Sequence, residues 1–157
     1  MITEPLPEHQ WLQRLVGEWE SVAEWSSMPG EQRTGTETVR SLGGLWVVAE
    51  SEGSTPCGGP ATMMISLGVD PTTRRYVGTW IGSMMANLWV YDGELSADDT
   101  TLTLAAEGPD MFAEGKTGLY HDVIQFQDED HRTLTARVQR EDGTWYDFMT
   151  IHYQRTR

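Results

Sequence analysis

Gly17-Glu18-Trp19-Glu20-Ser21-Val22-Ala23-Glu24-Trp25 reads as an extended segment with two unlike faces. A period of two sends successive side chains to opposite sides of the backbone, so Trp19, Ser21, Ala23 and Trp25 share one face while Glu18, Glu20, Val22 and Glu24 share the other. One side is dry and the other wet, which is the pattern of an antiparallel strand covering a core. Just upstream the period changes. Over residues 7–16, Trp11, Leu12, Leu15 and Val16 recur at helical spacing, Pro7 and Glu8 stand at the start and Gly17 follows the end, so one short amphipathic helix is expected there.

Downstream, turn-forming clusters recur at short intervals: Met28-Pro29-Gly30, Gly43-Gly44, Cys57-Gly58-Gly59-Pro60, Asp70-Pro71, Gly82-Ser83, Ala97-Asp98-Asp99, Gly108-Pro109-Asp110, Asp128-Glu129-Asp130 and Glu141-Asp142-Gly143. They divide the chain into strands at about residues 18–26, 33–42, 45–53, 61–69, 74–82, 86–95, 100–106, 118–127, 132–140 and 144–154. The connections leave no room for crossover helices, and closing the meander on itself removes its exposed edges. The expected fold class is therefore all-β: an antiparallel up-and-down barrel of about ten strands with a short N-terminal lid helix, one domain over residues 1–157 (helix 7–16, barrel 18–155).

Composition agrees. The 157 residues include seven Trp, five Tyr and sixteen Gly, a mixture of strand formers and turn formers. At this length a fold buries roughly 68 to 70% of the surface of its unfolded chain, enough for one core without cross-links, and a single cysteine allows no internal disulfide. The 24 acidic and 11 basic side chains leave a net charge of −13, which repels phosphate backbones, so nucleic acid is not an expected partner. No basic and apolar leader opens the sequence and no long apolar run crosses it, so a cytoplasmic protein without membrane insertion is expected.

In an up-and-down barrel alternate turns lie at the same end. The even-numbered turns are tight and polar, which suits a closed end. The odd-numbered ones include the long loops at residues 26–32, 53–60 and 107–117 and carry Met28, Cys57, Met84, Met85, Met111 and Phe112. Methionine is flexible and polarizable, so this end is expected to be either an adjustable portal or a plug over the opening.

Several stretches resemble a known family: Glu8-His9-Gln10-Trp11-Leu12, Leu15-Val16-Gly17-Glu18-Trp19, the run from Ser41-Leu42-Gly43-Gly44 to Ala49-Glu50, Gly78-Thr79-Trp80-Ile81-Gly82, Asp130-His131-Arg132-Thr133-Leu134-Thr135 and Phe148-Met149-Thr150. The chain resembles an uncharacterised bacterial family of unknown function that is similar to calycins, the lipocalins and fatty-acid-binding proteins. The resemblance implies a barrel and assigns no ligand. It also implies that Gly17-x-Trp19 opens the first strand and that Arg155 from the last strand packs over the indole, a structural clasp. Nitrobindin-like haem barrels are distantly similar and hold iron through a late histidine. His152 is late here, but the matching position falls nearer Phe148 or Thr150, neither of which ligates iron, so no cofactor is expected.

Candidate ligand contacts follow. Trp25, Trp80, Trp89 and Tyr91 could line a lumen, together with Trp46, Met64 and Phe148; Met84, Met85, Met111 and Phe112 would frame its entrance. Glu50 lies on a strand whose two faces are both apolar, so burial does not orient it; turned inward it would anchor a ligand or act as a base. His121 and Asp122 face opposite ways. The face of Tyr120, Asp122, Ile124 and Phe126 is the more apolar, and a buried Asp122 would need a donor, for which Arg137 is the candidate. The last strand sets Phe148, Thr150 and His152 against Asp147, Met149, Ile151 and Tyr153 without showing which set faces inward. Nucleophile elbows, zinc helices, phosphate loops and cysteine pairs are missing from the sequence, and its four histidines are widely spaced, so no metal site is expected. The leading expectation is a carrier or sensor that binds a small hydrophobic or amphipathic ligand in the lumen. The competing one is an isomerase or hydrolase using the same cavity through Glu50, His121 or Asp122, and a third is a homodimer joined through the methionine-rich rim.

Overall fold

A computed structural model describes residues 3–157. The helix α1 (Pro7–Gln13) leads into ten strands: β1 (Gly17–Trp25), β2 (Gln32–Leu42), β3 (Trp46–Ser54), β4 (Pro60–Val69), β5 (Tyr76–Gly82), β6 (Met85–Leu95), β7 (Thr101–Pro109), β8 (Thr117–Asp128), β9 (His131–Gln139) and β10 (Trp145–Arg155). Each strand pairs antiparallel with its neighbours in sequence, and β1 pairs with β10 from Trp19↔Arg155 to Trp25↔Met149, closing the barrel. Every strand begins and ends within three residues of its expected position, because the glycine, proline and aspartate clusters dictate where the chain reverses. No described helix is long and apolar enough to cross a membrane.

Helix α1 stops at Gln13, three residues before its expected end. The amides of Arg14, Leu15 and Val16 continue in tighter bonds to the carbonyls of Trp11, Leu12 and Gln13. The next carbonyls are taken by side chains of the barrel: Arg155 donates to Arg14 O at 2.7 Å and Val16 O at 2.5 Å, and Trp19 Nε1 donates to Leu15 O at 2.9 Å. Those partners hold the chain out of the α-helical ladder and turn it into β1.

The Arg155 guanidinium lies 4.2 Å from the centroid of the Trp19 ring, so the clasp implied by Gly17-x-Trp19 is formed. Gly17 is required by the same contact: its φ is 141°, and a Cβ there would stand 2.5 Å from Arg155 Nη1. A second guanidinium, that of Arg132, sits 4.4 Å from the same indole.

The helix seals the end that carries the even-numbered turns. Trp11 Nε1 donates to Asp99 O at 2.6 Å in the β6–β7 turn, Tyr76 Oη donates to Glu8 O at 3.0 Å, and the Trp11 ring meets Tyr76 and Phe126 edge-on. Leu12, Leu15, Trp19, Leu102 and Phe126 make this end a packed core. The opposite end, with the odd-numbered turns, is not filled in this way, and the barrel keeps its interior space there.

Candidate functional site

The lumen is a cavity of about 450 Å³ that opens at the odd-turn end. Its lining follows from strand parity. Ser21, Ala23 and Trp25 point inward from β1, Met63 and Ile65 from β4, and Leu134 and Ala136 from β9. Near the mouth stand Trp25, Trp80, Trp89, Tyr120 and Phe148, with Met85 and Met111 at the rim. Trp89 meets Tyr120 edge-on at 4.9 Å, and Tyr120 meets Phe148 in the same way at 6.0 Å.

The wall has a weak seam. Pairing of β6 with β7 runs from Asp92↔Ala105 to Leu95↔Leu102, so residues 85–91 of β6 have no ladder on that side. The Trp89 indole fills the seam by lying over Gly108, where a Cβ would meet the ring at 2.1 Å.

Two polar clusters lie within the largely apolar lining, below the polar residues Arg33, Glu52 and Asn87. Deepest is a buried ion pair: Arg132 Nη2 donates to Glu37 Oε1 at 2.6 Å, and Ser51 Oγ donates to Glu37 Oε2 at 2.8 Å. The Tyr153 ring lies 3.9 Å from the Arg132 guanidinium, and burial, then the neighbouring Glu37, pushes its hydroxyl far above the ordinary phenol range. Midway up, the Tyr91 hydroxyl donates to Asp122 Oδ2. Burial pushes the Asp122 carboxyl up to about 6, against the downward pull of that hydrogen bond. Asp122 nevertheless keeps some accessible surface, and that surface faces the cavity.

Among the expected contacts, Trp25, Trp80, Met85, Trp89, Tyr91, Met111 and Phe148 line this cavity. Others lie elsewhere. Trp46 is 43% exposed and stacks on the outer face over Gly68, which has no side chain to keep the ring away. Glu50 and Met64 are cross-strand neighbours on the outer face, because Ala49 and Ile65, one residue along each strand, take the inward positions. His121 stacks on Trp145 at 4.0 Å outside the barrel, where burial and then the Arg137 charge lower its pKa. Arg137 does not reach Asp122: the residue opposite Asp122 on β9 is Ala136, so Arg137 faces out and pairs with Asp147 at 3.1 Å. His152 is exposed, 3.9 Å from Glu24, and is not among the residues that line the lumen. Met84 and Phe112 stand exposed at the open end, and Phe112 leans on Tyr146 at 5.9 Å.

A bulge explains why Phe148 lines the lumen while His152 does not. The β10 register shifts between Asp147 and Met149, so Phe148 and Met149 both reach the cavity and the strand continues inward through Ile151 and Tyr153. Tyr120 lines the lumen on the face of β8 expected to be interior, whereas Glu37, Ser51, Met63 and Met149 were not expected as lumen residues. For Glu37 the signal was available: Val39, two residues along β2, is an obvious core position, and parity places Glu37 beside it.

Comparison with known proteins comes down to one family and a set of distant barrels. A family model described as "Protein of unknown function (DUF1579)" matches residues 4–155. No curated protein matches the chain. Among solved structures, Rv2717c from M. tuberculosis is 13% identical with a TM-score of 0.61, covering 98% of this chain and 100% of that one. The S-type phycobiliprotein lyase CPES from Guillardia theta is 13% identical with a TM-score of 0.59, covering 94% and 92%. EF1p2_mFAP2b, solved bound to DFHBI, is 13% identical with a TM-score of 0.51, covering 95% and 99%. At these identities the likeness is one of fold.

Proposed function

We propose that this chain, which belongs to the DUF1579 family of proteins of unknown function, binds a small hydrophobic or amphipathic molecule inside its barrel and serves as a carrier or sensor. The observation that carries the reading is the 450 Å³ cavity, apolar through most of its lining, closed at the helix end and open at the other. Cavities of this size hold small ligands. A filled core would have made the same barrel a plain scaffold, and here side chains as small as Ser21, Ala23 and Ala136 face the centre. That one similar barrel is solved with DFHBI bound supports the reading by analogy.

Entry past Met85 and Met111, or through the Trp89 seam, would perturb the tryptophans at the mouth. Titration with apolar alcohols and aromatic compounds is therefore expected to change tryptophan fluorescence saturably, with one site per chain. Ala23→Phe fills the centre of the lumen and is expected to weaken binding by at least about tenfold, roughly 1.4 kcal/mol, while circular dichroism stays that of the barrel. No saturable change across the panel, or equal affinity in the filled variant, would overturn the reading.

Of the three acid–base candidates only Asp122 faces the cavity, so an enzymatic reading would have to run through that carboxyl. A surface for self-association is offered by the exposed Met84 and Met85 of the rim and, beside them on β5 and β6, by Ile81, Leu88 and Val90, exposed at 49%, 60% and 60%. If they form a dimer surface, Leu88→Asp shifts the sedimentation coefficient to that of a monomer.

A further inference from the structure

Asp122 is an unusual group to leave facing an apolar cavity. One oxygen accepts from Tyr91; the other, Oδ1, has no protein donor among the described residues. Its neighbours do not neutralise it. The residues paired with it across β7 and β9 are Leu104 and Ala136. Tyr91 from β6 and Tyr153 from β10 bring hydroxyls held far above neutral pH by burial. The Arg132 guanidinium from β9 is bound to Glu37 from β2, and Arg33 at the mouth pairs with Glu31 at 2.9 Å. Asp122 is thus a buried carboxylate short of a cation, a costly arrangement in a low-dielectric lumen unless a ligand supplies one. Above it Trp89, Tyr120 and Phe148 stand edge-to-face, and an aromatic ring's face attracts positive charge.

We propose that Asp122 anchors a protonated amine: an apolar molecule with one ammonium group, its cation on Asp122 Oδ1 and its body among the rings of Trp89, Tyr120 and Phe148. This rests on the reading of the lumen as a ligand site and specifies the ligand's chemistry. Tyr91 holds the carboxylate in place and leaves Oδ1 turned to the cavity. An anionic lipid would meet Asp122 with like charge and no free guanidinium, so fatty acids are the disfavoured class.

The test uses three probes of one shape, 4-phenylbutylamine, 4-phenylbutan-1-ol and 4-phenylbutanoic acid, titrated against tryptophan fluorescence at pH 7.5. The amine is expected to bind about tenfold or more tightly than the alcohol, as a charge-assisted hydrogen bond allows, and the acid most weakly. In Asp122→Asn the amine's advantage over the alcohol should fall to within about threefold. Because the Asp122 carboxyl is pushed up to about 6, amine affinity in the unaltered protein should fall about tenfold between pH 7.5 and pH 5, while the alcohol's stays constant. That arm decides the question if the variant does not fold. Alcohol binding without amine preference, a preference that survives Asp122→Asn, or amine affinity independent of pH would overturn the anchor and leave the lumen reading standing. Failure of all three probes to bind would overturn both.

Discussion

Asp122 makes the protein's stability depend on pH in a direction opposite to most carboxylates. Its carboxyl is pushed up to about 6 in the folded chain, against about 3.9 in an unfolded one. Between those values the folded state holds a proton that the unfolded state has lost, so stability falls as pH rises from about 4 to about 6 and stays reduced above that, by roughly 3 kcal/mol. Asparagine copies the neutral form. Asp122→Asn is therefore expected to be more stable than the unaltered protein at pH 7.5, by up to about 3 kcal/mol in urea denaturation, and equal to it at pH 3.5. A difference that does not change with pH would contradict the assignment. Arg155 acts in the other sense. Its side chain is 20% exposed and combines the Trp19 ring with the carbonyls of Arg14 and Val16. Arg155→Ala should cost about 2 to 4 kcal/mol, read as a lower urea midpoint.

At the level of elements, the Glu37–Arg132 bridge ties β2 to β9 across the base of the lumen, past the two strands, β1 and β10, that lie between them in the wall. Removing one partner leaves the other charged in a dry site. Arg132→Met should cost about 3 to 5 kcal/mol, whereas Glu37→Leu with Arg132→Met should recover most of that loss. Equal destabilisation in the single and double variants, measured by thermal unfolding, would show that packing of Arg132 on Trp19 and Tyr153 matters more than the charge. The β6–β7 seam makes a separate prediction. Gly108→Ala puts a methyl where the Trp89 ring lies, so the ring must leave the seam, and its fluorescence emission should shift to longer wavelength as it meets water.

Across the whole molecule, a net charge of −13 on 157 residues is self-repulsive, so adding salt should raise the midpoint of thermal unfolding. The outline of the barrel was legible because short-range chemistry writes it: glycine and proline turns set the reversals, and a two-residue period between them sets the strands. Turn parity likewise separated a closed end from an open one. The site was legible where one face was plainly the more apolar, as for Trp25 on β1 and Tyr120 on β8. On β3 both faces are apolar, so sequence could not orient Glu50, and the barrel's curvature put Ala49 inside instead. On β10 one extra residue at the bulge broke the alternation that would have kept Phe148 and His152 together. By itself, then, the sequence determined the ten strands and their order, since each depends on neighbours in the chain, while the Gly17-x-Trp19 and Arg155 clasp was implied by the family resemblance. Only the closed tertiary structure decided that Asp122 meets Tyr91 rather than Arg137, and that Glu37 and Arg132 meet across the base, because register and curvature choose partners that lie many residues apart.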